Sequence, residues 1–177
     1  VVAYVNKNLL KSDVLYKDEM KFLLGKTYFQ KSDYAKAYPL LNSFVSKAKK
    51  VSKEDIYQLG YTAYMIGEYA IAIDNFKQLN LLDEQLGQSA TYAMADCYLK
   101  LNQKLQARSS FQSAASKDFD LMIKENSLFN YAKLSFELGY SSEAIKGFES
   151  YISDFVSGKY IEETNELLAA ALVQTKN

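Results

Sequence analysis

The stretch MKFLLGKTYFQKSDYAKAYPLL, residues 20–41, decides the fold. Apolar residues fall at helical spacing as far as Phe29, a polar break follows at Ser32 and Asp33, and a second run begins at Tyr34. Two small residues mark the two runs, Gly25 and Ala37, and Leu41 follows Ala37 by one helical turn. The same three marks return as Gly60, Ala72 and Phe76, then Ala95, Ala107 and Phe111, then Ala132, Ala144 and Phe148. Successive copies lie 35, 35 and 37 residues apart in all three registers. A period in this range means stacked units, each too small to bury its own hydrophobic face. A stack of that kind is usually a binding surface, so recognition is expected before catalysis.

Composition narrows the class further. At 177 residues the chain suffices for one sizeable domain or four to five small units. A hydrophobic content of 49% with a single Pro indicates a folded helical chain. Charge is balanced, 21 Lys and Arg against 21 Asp and Glu, which gives no field suited to nucleic acid. His is absent, and with it the commonest metal ligand and general base. Cys97 is the only cysteine and has no partner for an intrachain disulfide. No stretch reaches the ~18 uninterrupted apolar residues of a membrane span, and no phosphate loop, zinc spacing or nucleophile motif occurs. The expectation is no enzyme, no cofactor, no metal and no nucleic acid. No signal peptide is read at the start, and the opening at Val1 inside an amphipathic segment reads as a piece of something longer.

The spacing predicts about ten helices, over 1–12, 15–31, 34–48, 53–66, 69–82, 85–101, 104–117, 121–138, 141–155 and 159–175. Grouped as pairs they form one array across 1–177: a partial repeat at 1–12, repeats at 15–48, 53–82, 85–117 and 121–155, and a partial repeat at 159–177. Asp33 suits an N-cap, while Gly67, Asn102 and Gly139 suit left-handed residues that end a helix. Pro39 falls inside a helix, where it removes a backbone bond and predicts a kink or a late start. The two extra residues of the longer period are expected near Lys117–Asp120.

These marks resemble the tetratricopeptide repeat. The first copy reads Leu24-Gly25, Tyr28, Ser32-Asp33-Tyr34, Ala37 and Leu41, and the second Leu59-Gly60, Gly67-Glu68-Tyr69, Ala72-Ile73 and Phe76. The third reads Met94-Ala95, Tyr98, Ala107 and Phe111, and the fourth Tyr131-Ala132, Gly139, Ala144-Ile145 and Phe148. The resemblance implies an all-α fold, an α-α superhelix of antiparallel pairs with a right-handed twist. The Tyr-rich stretches at 96–100 and 129–133 look like repeat proteins of the bacterial cell envelope, which implies a periplasmic or envelope location, with the cytoplasm as the alternative.

The resemblance also implies a site. In that family the first helices line a concave face that receives a peptide or helix of another protein, which here would carry Phe22, Lys26 and Phe29; Tyr57, Tyr61 and Tyr64; Tyr92 and Asp96; and Phe129 and Lys133. Aromatics anchor protein interfaces, but the same rings could instead pack against the neighbouring repeat, and both readings stay open. The family's carboxylate clamp for chaperone tails would fall on Phe22, Lys26, Gln58, Ser89 and Ala93, where only Lys26 brings charge, so that ligand is not expected. Cys97 is expected as a buried structural thiol. The lysines at 47, 49, 50 and 53 and the acids at helix starts are expected as solvated charges complementing helix dipoles. The rival functions are an RNA-reading helical array, and the repeat region of a larger enzyme or glycan-binding lipoprotein. The apolar run Leu167 to Val173 predicts that the array continues, or that the chain self-associates through its last helix.

Overall fold

The computed structural model describes residues 2, 3, 7 and 17–175. The first predicted helix, 1–12, falls mostly outside them. From residue 17 onward the helices are α1 Lys17–Gln30, α2 Tyr34–Val45, α3 Lys53–Met65, α4 Tyr69–Phe76, α5 Gln85–Lys100, α6 Lys104–Ala115, α7 Leu121–Glu137, α8 Ser141–Asp154 and α9 Ile161–Gln174. No strand occurs among the described residues. The chain divides into two compact units, Val1–Gln78 with α1 to α4 and Leu79–Asn177 with α5 to α9.

Each pair closes through the same turn. Ser32 (φ 57°), Gly67 (φ 85°), Asn102 (φ 57°) and Gly139 (φ 81°) are all left-handed, and they keep the 35, 35, 37 spacing of the helix marks. The amide after each one reaches back to the last turn of the first helix: Asp33 N to Tyr28 O at 2.9 Å, Glu68 N to Ala63 O at 2.9 Å, Gln103 N to Tyr98 O at 2.8 Å, Tyr140 N to Ser135 O at 2.8 Å. This Schellman closure satisfies carbonyls that the helix end would otherwise orphan, and it folds the chain back so that the next helix runs antiparallel. Asp33 then caps α2, accepting from Lys36 N, and Ser52 and Asp120 cap α3 and α7.

The small residues form the seam within each pair. A Cβ placed on Gly60 would lie 2.9 Å from Cε1 of Phe76, so nothing larger than hydrogen fits at that crossing. Ala37, Ala72, Ala95, Ala107, Ala132 and Ala144 are all fully buried. Leu41, Phe76, Phe111 and Phe148 fill the space that these close approaches leave, with exposure of 2% or less. In the first unit Phe22, Ala37, Leu41 and Leu59 share one core cluster. In the second, Ala95, Ala107, Phe111, Tyr131 and Leu134 form one cluster, and Ala132, Ala144 and Phe148 form the next.

Two features differ from the sequence reading. α4 ends at Phe76, not at 82. Residues beyond it turn, and their carbonyls serve other elements: Asn80 O accepts from Thr91 Oγ1 (3.3 Å) and Lys117 Nζ (3.3 Å), and Leu82 O also accepts from Lys117 Nζ. Tertiary donors have replaced helix bonds there. Pro39 does not delay α2, which starts at Tyr34 and runs unbroken through it.

The left-handed Ser32 carries a steric cost that glycine lacks, of about 1 kcal/mol. Urea denaturation of Ser32→Gly should therefore show stability raised by up to about 1 kcal/mol. Gly67→Ala, at φ 85°, should lower it by a similar amount.

Candidate partner-binding face

In the first unit, Phe22, Lys26 and Phe29 of α1 and Tyr57, Tyr61 and Tyr64 of α3 each follow an i, i+4, i+7 stripe. The structure joins most of them. Phe29 and Tyr61 meet with centroids 6.1 Å apart, Tyr57 and Tyr61 stack at 6.1 Å, and Tyr61 and Tyr64 lie 6.0 Å apart. Two second-helix rings complete the row, Tyr34 at 5.9 Å from both Phe29 and Tyr61, and Tyr69 at 6.0 Å from Tyr64. Phe29, Tyr34, Tyr57, Tyr61, Tyr64 and Tyr69 are all half-buried. Each ring is held by its neighbours while part of it stays open to solvent. Burial raises the phenol pKa of Tyr57 and of Tyr61, so these two stay uncharged at neutral pH.

Phe22 and Lys26 sit differently. Phe22 is buried and stacks on Phe44 at 3.9 Å, as part of the core. Lys26 Nζ donates to Asp55 Oδ1 at 2.6 Å and lies 5.0 Å over the Phe22 ring. Its charge is already matched within the chain.

The second unit repeats this motif and adds a cover. Lys133 Nζ bonds Glu163 Oε1 at 2.7 Å and lies 5.5 Å from the Phe129 ring centre. Phe129 is only 4% exposed, because Tyr160 stacks flat on it at 4.2 Å and an interplanar angle of 8°. Tyr160 is anchored by its hydroxyl, which donates to Asn126 Oδ1 at 2.7 Å, and by its amide, which donates to Tyr151 Oη at 2.8 Å. Tyr151 in turn donates to Glu125 Oε1 at 2.6 Å, and burial together with that carboxylate pushes its phenol up to about 12. Tyr92 and Asp96 on α5 are half-buried, with Tyr92 against Phe111 at 5.7 Å. Burial and then the Asp96 charge raise the Tyr92 pKa.

Sequence reading missed Tyr34, Tyr69, Asp55, Glu125, Tyr160 and Glu163. Part of the signal was present: Phe22, Lys26 and Asp55 recur as Phe129, Lys133 and Glu163, with the acid 29 or 30 residues after the lysine. The arrangement holds and orients aromatic surface. Among the described residues no group of three His, Cys, Asp or Glu could hold a metal, and no helix is long and apolar enough to cross a membrane.

Comparison with known proteins agrees with this architecture. Residues 54–86 and 89–118 each match a family model described as Tetratricopeptide repeat. The chain carries tetratricopeptide repeats in these two segments. Its repeats therefore make it a protein-interaction scaffold, in a family that is typically non-enzymatic. Two crystal structures of MamA are similar in fold. One, at 23% identity with a TM-score of 0.65, covers 86% of this chain and 85% of that one. The other, at 19% identity with a TM-score of 0.65, covers 91% and 89%. A tetratricopeptide repeat protein from Parabacteroides merdae ATCC 43184 covers 98% of this chain and 64% of its own, at 18% identity with a TM-score of 0.58. No curated protein matches.

Cys97 is fully buried, and burial followed by the Asp96 charge pushes its thiol up to about 12. The thiolate is the reactive form. Alkylation by iodoacetamide should accordingly be negligible in the native protein at neutral pH and become fast only on denaturation. Rapid native labelling near neutrality would show that the thiol is accessible.

Proposed function

We propose that this scaffold captures a peptide or helical segment of another protein on the face built by its first helices. The observation that carries the reading is the half-buried aromatic row of α1 to α4, in which rings are held rigid yet partly open. Rigid aromatics supply contact area at low entropic cost, which is why they dominate interface energetics. Phe29, Tyr57, Tyr61 and Tyr64 are the contact residues of the first unit, while Phe22 packs on Phe44 in the core and Lys26 is paired with Asp55. Tyr92 and Asp96 are the contacts of the second unit, where Phe129 and Lys133 hold Tyr160 and Glu163 in place.

Because Lys26 and Lys133 are each matched by a carboxylate, an acidic tail gains nothing from either. The ligand of the first-unit face is an apolar or aromatic-bearing segment. The family likeness and the balanced charge favour protein over RNA, and a gel shift with mixed RNA at low salt tests that choice. The likeness of the Tyr-rich stretches to envelope repeat proteins supports a bacterial cell-envelope setting, which fractionation of cells expressing the tagged protein tests. On α9, Leu172 and Val173 are 40% and 61% exposed, which supports self-association through the last helix. Sedimentation equilibrium with Leu172→Ser/Val173→Ser tests it, a monomer in both forms being the contrary result.

Combined substitution Tyr57→Ala/Tyr61→Ala/Tyr64→Ala should weaken capture of the partner by at least about 2 kcal/mol, roughly thirtyfold. Helical content by circular dichroism should stay unchanged. Unaltered capture by the triple variant would remove this face from the site.

A further inference from the structure

In the second unit a further surface lies at the edge where successive pairs are joined, opposite the tight turns at Asn102 and Gly139. In the second unit three connections reach this edge, at 79–84, 116–120 and 155–160. Each leaves a large apolar side chain in water, Leu81 at 91% exposure, Phe119 at 47% and Val156 at 76%, and Met122 on the first turn of α7 adds a fourth at 72%. Single exposed apolar residues are ordinary, but several in one place mark an interaction site.

Their backbones are not loose. The buried Gln88 amide donates to Lys117 O at 2.7 Å, and its Oε1 accepts from Asp120 N at 2.7 Å, so one side chain clamps the second connection at both ends. Lys117 Nζ ties that connection to the first, through the carbonyls of Asn80 and Leu82. Lys124 ties it towards the third, with Nζ 2.7 Å from Asp118 and 3.7 Å from Asp154. The third is pinned by Glu125, which accepts from Lys159 N at 2.6 Å, and by the tight seat of Gly158, where a Cβ would lie 2.5 Å from Tyr151 Oη. Three apolar tips on clamped loops form a prearranged surface, which avoids much of the ordering cost of binding.

The charges around the tips choose the occupant. Asp83 follows Leu81 by two residues, Asp118 precedes Phe119, and Asp154 precedes Val156 by two. Lys117 is turned inward to carbonyls, Lys124 is shared by two carboxylates, and the exposed Lys159 lies over the Tyr160 ring. Residues 79–177 carry nine Lys and Arg against thirteen Asp and Glu, a net charge of −4. An anionic bilayer is repelled by such a rim, whereas a basic segment is attracted. We infer that this edge of the second unit docks a cationic amphipathic segment of another protein, its apolar residues on Leu81, Phe119, Met122 and Val156 and its basic residues beside Asp83 and beside Asp118 and Asp154, whose two charges share the single Lys124.

The test uses a fluorescein-labelled leucine–lysine helical peptide and its leucine–glutamate counterpart, titrated against the intact 177-residue chain and followed by anisotropy. The leucine–lysine peptide should bind, weaken as salt rises, and bind at least about tenfold tighter than the acidic peptide. Leu81→Ser/Met122→Ser, both at exposed positions, should cost about tenfold in affinity, while Tyr61→Ala leaves it unchanged. The proposal is overturned if the double variant binds as well as the parent, or if both peptides bind equally. It also falls if only phosphatidylglycerol vesicles bind, or if the edge instead mediates a concentration-dependent dimer that the double variant abolishes. Loss in Tyr61→Ala alone would move the peptide to the first-helix face, overturning this inference and leaving the first-helix reading standing.

Discussion

Everything in this molecule depends on how closely the two helices of a pair can approach. At Gly60 the space for even a methyl group is taken by the Phe76 ring. The buried alanines repeat that condition along the chain, and Leu41, Phe76, Phe111 and Phe148 are the knobs that the close approach admits. Enlarging a seam residue forces the helices apart, while truncating a knob leaves a cavity costing about 3–5 kcal/mol for Phe to Ala. The seam therefore fixes the rotation of each helix. Rotation decides which side chains point outward, and so the seam sets the proposed binding face as well as the core.

That coupling explains the aromatic row. With Leu59, Gly60 and Ala63 of α3 committed to the interior, Tyr57, Tyr61 and Tyr64 fall on the partly open side of the same helix. Ring-to-ring contacts then hold them, each at about 6 Å from a neighbour, within the range where edge-to-face and offset pairs are favourable. The ion pair of Lys26 with Asp55, and its echo in Lys133 with Glu163, join first helices of adjacent pairs and neutralise the cations that would otherwise recruit an acidic ligand. What is left to recognise is shape and apolar surface.

The period and the turn positions were legible in the sequence because they rest on local constraints: a small residue at a crossing, a left-handed residue at a turn, an acid at an N-cap. The end of α4 was not. It depends on Thr91 and Lys117, donors far along the chain, taking up the carbonyls of Asn80 and Leu82. The site was legible in part. Helical spacing located the stripes, but it could not show that Phe22 stacks on Phe44 or that Tyr160 lies over Phe129, since both covers come from outside the stripe. Burial of a ring is a tertiary property, and only the fold separates an anchor that is offered from one already used.

The central claim is that the first-helix face, and not the outer face of the second helices, meets the partner. Site-specific photo-crosslinking tests it most directly, with benzoylphenylalanine introduced in place of Tyr61 on α3 or of the exposed Ala70 on α4. The account predicts a partner adduct from position 61 and none from position 70. Adducts from 70 alone, or equally from both, would contradict it.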